Sequence, residues 1–323
     1  MRLRNTLLLL GVFIILGGYI YLFELNRDIG EKGEKILDFA EEDVEAIVLI
    51  YRDQMIGLNR KPSGKWMLTQ PLQAPADESV IHGILTALNF SEVKRIIEER
   101  PSKKDLATFG LDNPWVKLKI TLKKEKTLPA ILVGEKTPVG YSAYVKRANE
   151  AAVLLTSSSL RATMEKELFD FRDKGILRVD PERVTKIELQ TEKVSLVLVR
   201  SDGGDWRLAA PQNKEVKQAA VSAYLRTLTR LRATGFADNK SGTLKKYGLK
   251  PPLLKISLAG KASERLGTLL IGENARGEFY AKKVGKPTVY IIDRFSYTQV
   301  NKTTTDFSEG DKSDSRPPGP ARE

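Results

Sequence analysis

The chain repeats itself, and this limits its folding more than any other feature. WMLTQP at 66–71 returns as WRLAAP 140 residues later, so both copies read W-x-L-x-x-P. FGLDNP at 109–114 returns as YGLKPP at 247–252, LVGE at 132–135 as LIGE at 270–273, and AYVK at 143–146 as FYAK at 279–282. The copies end alike, in FDF at 169–171 and TDF at 305–307. The landmarks keep their order while the offset shrinks slightly, as small loop deletions would produce. Units of this size are whole domains in tandem, not the short repeats of a solenoid.

Within each unit the periodicity predicts one α+β plan. Alternation over 46–58 and 186–200 predicts opening hairpins. Val80, Ile81, Ile84, Leu85 and Leu88 fall at helical spacing, and Ala220, Val221, Tyr224, Leu225 and Leu228 repeat that stripe. A short second helix is predicted to end at Gly110 and at Gly248, where glycine supplies a left-handed C′ residue before a proline. Strand-like runs follow at 116–122, 128–133, 141–146 and 152–155. The fold class expected is therefore α+β: an N-terminal transmembrane helix followed by two tandem domains, each an antiparallel sheet with a helix on one face. The boundaries expected are a cytoplasmic N-terminus and anchor at 1–25, a charged stalk at 26–42, domains at 43–176 and 177–307, and a disordered tail at 308–323.

The anchor rests on the run between Asn5 and Phe23, which holds no charged residue and is long enough to cross a bilayer as a helix. Arg2 and Arg4 precede it and Glu24, Arg27, Asp28 and Glu31 follow, so the positive-inside bias predicts a cytoplasmic N-terminus and exported domains. No small-x-small cleavage site follows the run, which favours an uncleaved anchor over a signal peptide.

The residue inventory offers little for catalysis. Absence of cysteine excludes disulfides, thiolate metal sites and cysteine nucleophiles. The single histidine, His82, lies beside an apolar stripe and reads as a structural or surface residue. Ser157, Ser158 and Ser159 read as a helix N-cap and not a nucleophile. LVGE and LIGE lack the full phosphate-loop series and read as strand ends entering turns. No catalytic, cofactor or metal residues are assigned. Trp66 and Trp206, at equivalent positions, are the candidates for a ligand or partner surface, but the role expected of them is a core anchor, because aromatics bury large areas and this one recurs with its neighbouring leucine and proline. The net charge of +12 suits anionic lipids or acidic polymers, but the lysines are scattered and nucleic acid is not expected.

As an ordered set, W-x-L-x-x-P, [FY]-G-L-x-x-P, L-[VI]-G-E, Tyr-Val-Lys and RDKGIL at 172–177 resemble the bacterial family called domain of unknown function 4340. The second copy departs from the pattern, with Lys217 where the first has Asp77 and no RDK run after Phe307. The resemblance implies an anchored bacterial envelope protein, in the inner membrane with its domains in the periplasm, associated with permease and ATPase subunits of an ABC-type transport system. A non-enzymatic auxiliary or scaffold role is thus expected. The alternatives are a binding protein for an envelope glycan or anionic lipid, and a hydrolase using a carboxylate pair.

Overall fold

The computed structural model describes residues 33–237 and 244–308. The predicted span between Asn5 and Phe23, residues 26–32 of the predicted stalk and nearly all of the predicted tail lie outside these residues. Among the described residues, no helix is long and apolar enough to cross a membrane. The chain divides into two compact units between Asp173 and Lys174.

In the first unit the strands are β1 (Val44–Tyr51), β2 (Met55–Arg60), β3 (Trp66–Gln70), β4 (Ala74–Pro75), β5 (Arg95–Glu98), β6 (Val116–Leu122), β7 (Ile131–Lys136), β8 (Ser142–Arg147) and β9 (Val153–Ser157). They form one antiparallel sheet in the order β4-β3-β2-β1-β6-β7-β8-β9-β5. The helices are α1 (Glu78–Asn89), α2 (Lys103–Thr108), α3 (Ser158–Met164) and α4 (Leu168–Phe171).

The second unit repeats the sheet. β10 (Lys186–Gln190), β11 (Ser195–Arg200), β12 (Trp206–Ala210), β13 (Lys214–Glu215), β14 (Gly235–Ala237), β15 (Leu254–Ala259), β16 (Arg265–Glu273), β17 (Phe279–Lys283) and β18 (Val289–Ile292) take the order β13-β12-β11-β10-β15-β16-β17-β18-β14. Its α-helices are α5 (Gln218–Thr229) and α6 (Arg294–Val300). A 3₁₀ turn at Leu244–Tyr247 stands where the first copy has α2, so the predicted second helix is an α-helix in only one copy.

Helix α1 forms because apolar residues recur on one face and Asp77 caps its N-terminus, accepting from the Ser79 N–H at 3.2 Å. Ile81, Ile84, Leu85 and Leu88 are all buried against the inner rows of β1, β2 and β6. In the second copy Val221, Tyr224, Leu225 and Leu228 do the same. Lys217 cannot cap α5, and the neighbouring Gln218 turns back to the hairpin instead, accepting from the Trp206 N–H and donating to the Trp206 carbonyl. The Lys217 departure is therefore a lost side-chain cap, while Gln218 ties the start of the helix to the hairpin.

The repeated motifs are structural contacts. Gly110 and Gly248 both adopt φ +63°, the left-handed conformation expected of them. Gly134, in LVGE, lies so close to that turn that a Cβ there would meet the Phe109 carbonyl oxygen at 2.2 Å. At Gly272 a Cβ would meet the Gly248 carbonyl carbon at 2.3 Å. The [FY]-G-L and L-[VI]-G-E motifs thus mark two sides of one backbone contact, sealed in the first copy by the Glu135 N–H donating to the Phe109 carbonyl at 2.9 Å. LVGE occupies the end of β7, one residue short of its close, and LIGE closes β16 just before the turn at 274–277. The closing phenylalanines also act alike: the Phe171 carbonyl accepts from the Asp77 N–H at 2.8 Å, and that of Phe307 from the Lys217 N–H at 2.9 Å.

The stalk expected over 26–42 is corrected for its described part. Ile36, Leu37 and Phe39 are buried in the first core, and the Ile36 N–H donates to the Ser91 carbonyl at 2.8 Å. Ile176 and Leu177 occupy the same place in the second core, with the Ile176 N–H donating to the Leu231 carbonyl. The Gly-Ile-Leu of RDKGIL therefore opens the second domain, and Lys35-Ile36-Leu37 is its counterpart 140 residues earlier. The lack of an RDK run after Phe307 follows, because RDKGIL leads into a domain and is not part of the way a domain closes.

Two stability changes follow. Ile36→Ala should lower the unfolding free energy by about 2–4 kcal/mol, as for other buried Ile truncations; a stalk residue would give no change in a denaturant titration. Lys217→Asp should restore the missing cap and stabilise by about 1 kcal/mol in the same titration.

Candidate functional site

Trp66 and Trp206 are each 5% exposed and belong to the cores, so neither offers a ring to a ligand. The Arg60 guanidinium lies 5.0 Å from the Trp66 ring. Both indoles are packed in the cores, where a buried indole removes a large apolar area from water, and this ends the surface candidacy. His82 lies on the surface with its Nδ1 2.8 Å from a Glu41 carboxylate oxygen. Ser157 caps α3, accepting from the Ser159 N–H at 3.3 Å. No cluster of metal-ligating side chains occurs among the described residues.

The place where the two domains differ most lies beside the repeated glycine contact. In the first domain it is filled. Tyr51, at the end of β1, meets Trp115 edge-on at 5.3 Å between ring centroids. The Arg161 guanidinium of α3 lies 5.2 Å from the same Trp115 ring. Arg161 donates to the Gly134 carbonyl at 2.9 Å and to Glu135 Oε2 at 2.8 Å, while Arg52 donates to Glu135 Oε1 at 3.0 Å. Glu165 pairs with Lys136 at 2.8 Å and lies 3.4 Å from Arg161. The Arg161 and Arg52 hydrogen bonds hold the Glu135 carboxyl below the usual glutamate range, Arg161 having the larger effect. Burial pushes the Tyr51 hydroxyl well above the usual phenol value as it donates to the Met164 carbonyl at 2.8 Å.

In the second domain the same place is open. Strand register and helix caps put Thr191 where the first copy has Tyr51, Glu192 for Arg52, Leu253 for Trp115, Tyr297 for Arg161 and Asn301 for Glu165. The result is a groove of about 930 Å³ bordered by these residues and by Glu273, the counterpart of Glu135. Leu253 and Val194 are 40% exposed on its wall. Glu273 has lost both arginine partners of its counterpart and pairs with Arg294 at 3.6 Å. Tyr297 stacks on Phe279 at 4.5 Å, and burial together with the nearby Glu273 raises its hydroxyl pKa. The Met164 carbonyl's counterpart, that of Val300, accepts instead from Tyr224 of α5 at 2.8 Å. The helix end is thus satisfied in both copies, but only the first fills the corner beside it.

Residues retained in both copies do not reveal this groove, because it is made where the copies differ. Its signal in the sequence is the exchange of Trp115 and Arg161 for Leu253 and Tyr297.

Arg161→Ala should destabilise the first domain by about 2 kcal/mol, since it strands the Gly134 carbonyl and a carboxylate that accepts charged hydrogen bonds. The depressed Glu135 pKa makes stability present above the ordinary glutamate value of about 4.3 and lost as pH falls through the lowered one. Glu135→Gln should flatten that acid limb in a pH series of unfolding midpoints.

A family model described as Domain of unknown function (DUF4340) matches residues 66–241 and again 206–312. No curated protein and no solved structure matches the chain.

Proposed function

The chain belongs to the family described as Domain of unknown function (DUF4340), and within it we propose a non-enzymatic auxiliary or scaffold subunit of an ABC-type transport or envelope system. In this reading the run between Asn5 and Phe23 fixes the protein in the bacterial inner membrane, and both domains stand on the periplasmic side. The observation that supports it most is the divergence of the two copies. One closes a corner with its own side chains, while the other leaves a groove of about 930 Å³ at the same place. A filled copy contributes stability, whereas an open one presents apolar wall and a carboxylate to something outside the chain.

A second reading, recognition of an anionic lipid or envelope glycan, is favoured by a different feature. Lys186, Lys255 and Arg265 border a hollow of about 440 Å³ on the second sheet. Glu188 offsets this charge in part, pairing with Lys186 at 2.5 Å.

Crosslinking of the full-length protein in native membranes, followed by affinity purification and mass spectrometry, separates the two. The auxiliary reading expects permease or ATPase subunits in the eluate. Recovery of this chain alone, with crosslinking shown to be efficient, would sink it. Salt-sensitive binding to anionic liposomes in that case would favour the second reading.

A further inference from the structure

We infer that the tip of the β7–β8 hairpin, with Val139 and Tyr141, enters the lipid interface of the membrane that holds the anchor. This deepens the proposed function and rests on its anchored arrangement. Val139 is 83% exposed and Tyr141 87%. The tip protrudes, since a Cβ on Gly140 would meet nothing within 4 Å. Its backbone is nonetheless tied down. The Thr137 hydroxyl donates to the Val139 carbonyl at 2.7 Å, the Ser142 hydroxyl to the Gly140 carbonyl at 3.1 Å, and the Ser158 N–H to the Tyr141 carbonyl at 3.0 Å. A convex tip with its carbonyls satisfied and its apolar side chains outward suits a bilayer interface, where aromatic rings settle at the level of the headgroups.

The path of the chain brings this tip within reach of the membrane. Residues 24–32 separate the uncharged run from Gly33, and these nine residues reach at most about 30 Å. Where the described chain begins, the Val93 N–H donates to the Glu34 carbonyl at 2.7 Å and Lys35 pairs with Glu92 in an isolated β-bridge. One residue further along that segment, Lys94 Nζ donates at 3.3 Å to the hydroxyl of Ser142, which closes the tip. A few contacts thus join the entry of the chain to the hairpin, and the bilayer is the one neighbour that the chain itself places at this distance.

The second copy lacks the feature. Asn274-Ala275-Arg276-Gly277-Glu278 stands in place of residues 136–142, two residues shorter and without an exposed aromatic. Phe90, 78% exposed on the segment that meets the entering chain, becomes Arg230. The apolar tip therefore belongs to the copy that follows the anchor directly. Charge around it is mixed, because Lys94 and Arg95 stand with Glu92, and Lys136 pairs with Glu165 at 2.8 Å. Entry thus depends on the apolar side chains and needs no anionic lipid.

The test uses full-length protein in vesicles of zwitterionic phosphatidylcholine. The chain has no cysteine, so Val139→Cys, Tyr141→Cys, Arg276→Cys and Ile15→Cys each carry one nitroxide, read by power-saturation electron paramagnetic resonance with oxygen and a nickel chelate on both sides of the bilayer. The ratio of oxygen to chelate collisions at 139 and 141 should exceed that at 276 by about tenfold, as for groups about 5–10 Å into the headgroup boundary. Adding Tyr141→Asp to Val139→Cys should bring the ratio down toward that at 276. Should Tyr141→Cys disturb its backbone at φ +47°, the label at 139 still decides, since its side chain packs in no core.

Equal ratios at 139 and 276, with residue 15 shielded from the chelate, overturn the tip insertion and leave the anchor standing. A label at 15 open to the chelate overturns the anchor and the insertion with it. Entry only into vesicles that contain phosphatidylglycerol also overturns the proposal, because charge and not apolar surface would then drive it. A label at 139 that is aqueous in lipid but immobilised in native membranes assigns the tip to a protein partner and overturns the lipid assignment.

Discussion

Each domain depends on covering one face of a nine-stranded sheet with too little helix. Nine strands about 4.8 Å apart span nearly 40 Å, while a helix with its side chains is about 10–12 Å across. Helix α1 or α5 therefore shields only the central strands, where its four buried residues meet the inner rows. The rest must come from short segments. In the first domain Ile36, Leu37 and Phe39 enter one side of the core, and Leu160, Met164 and Phe171 another. In the second, Ile176, Leu177, Val300 and Phe307 take those places. The chain before β1 and the chain after β9 are thus integral to the fold, and the closing phenylalanine returns to the N-terminus of the central helix in both copies.

That geometry separates what is legible in the sequence from what is not. The helix stripes are legible, because four apolar residues at i, i+3, i+4 and i+7 fit the period of a helix and break the period of a strand. The left-handed glycines are legible too, because each precedes a proline within a repeated motif. The entering segment is not. Ile36, Leu37 and Phe39 are flanked by Glu34, Lys35, Asp38, Glu41 and Glu42, and over so short a stretch charge outweighs three apolar residues. Aligning Lys35-Ile36-Leu37 with Gly175-Ile176-Leu177 recovers it. The tryptophans are legible as packing residues, because repetition of a large aromatic with its neighbouring leucine and proline in two copies of one core has a sufficient cause there.

The glycine contact gives the two domains a common scaffold with different corners. Gly134 and Gly272 admit no side chain, so the backbone on which Glu135 and Glu273 sit is fixed alike in both copies. What varies is the set of side chains arriving from β1 or β10, from the residue before β6 or β15, and from α3 or α6. Three such changes, Tyr51 to Thr191, Trp115 to Leu253 and Arg161 to Tyr297, remove two large side chains and a cation without altering strand order. A corner can be emptied in this way because it lies at the rim of the core. Thr191 and Leu253 make no part of the buried second cluster, and its inner rows remain complete without them.

The net charge of the chain does not by itself set the chemistry of the corner. At +12 the protein as a whole repels cations at long range. At physiological ionic strength, however, the Debye length is about 8 Å, so an occupant of the groove responds chiefly to the charges that border it. Glu192 and Glu273 are among these together with Lys193, Lys255 and Lys302, while the two arginines that hold Glu135 in the first copy are replaced by Glu192 and Tyr297. Global charge and local site chemistry therefore act at different distances. The lysine-rich surface governs approach to anionic neighbours, and the groove governs what is held at contact.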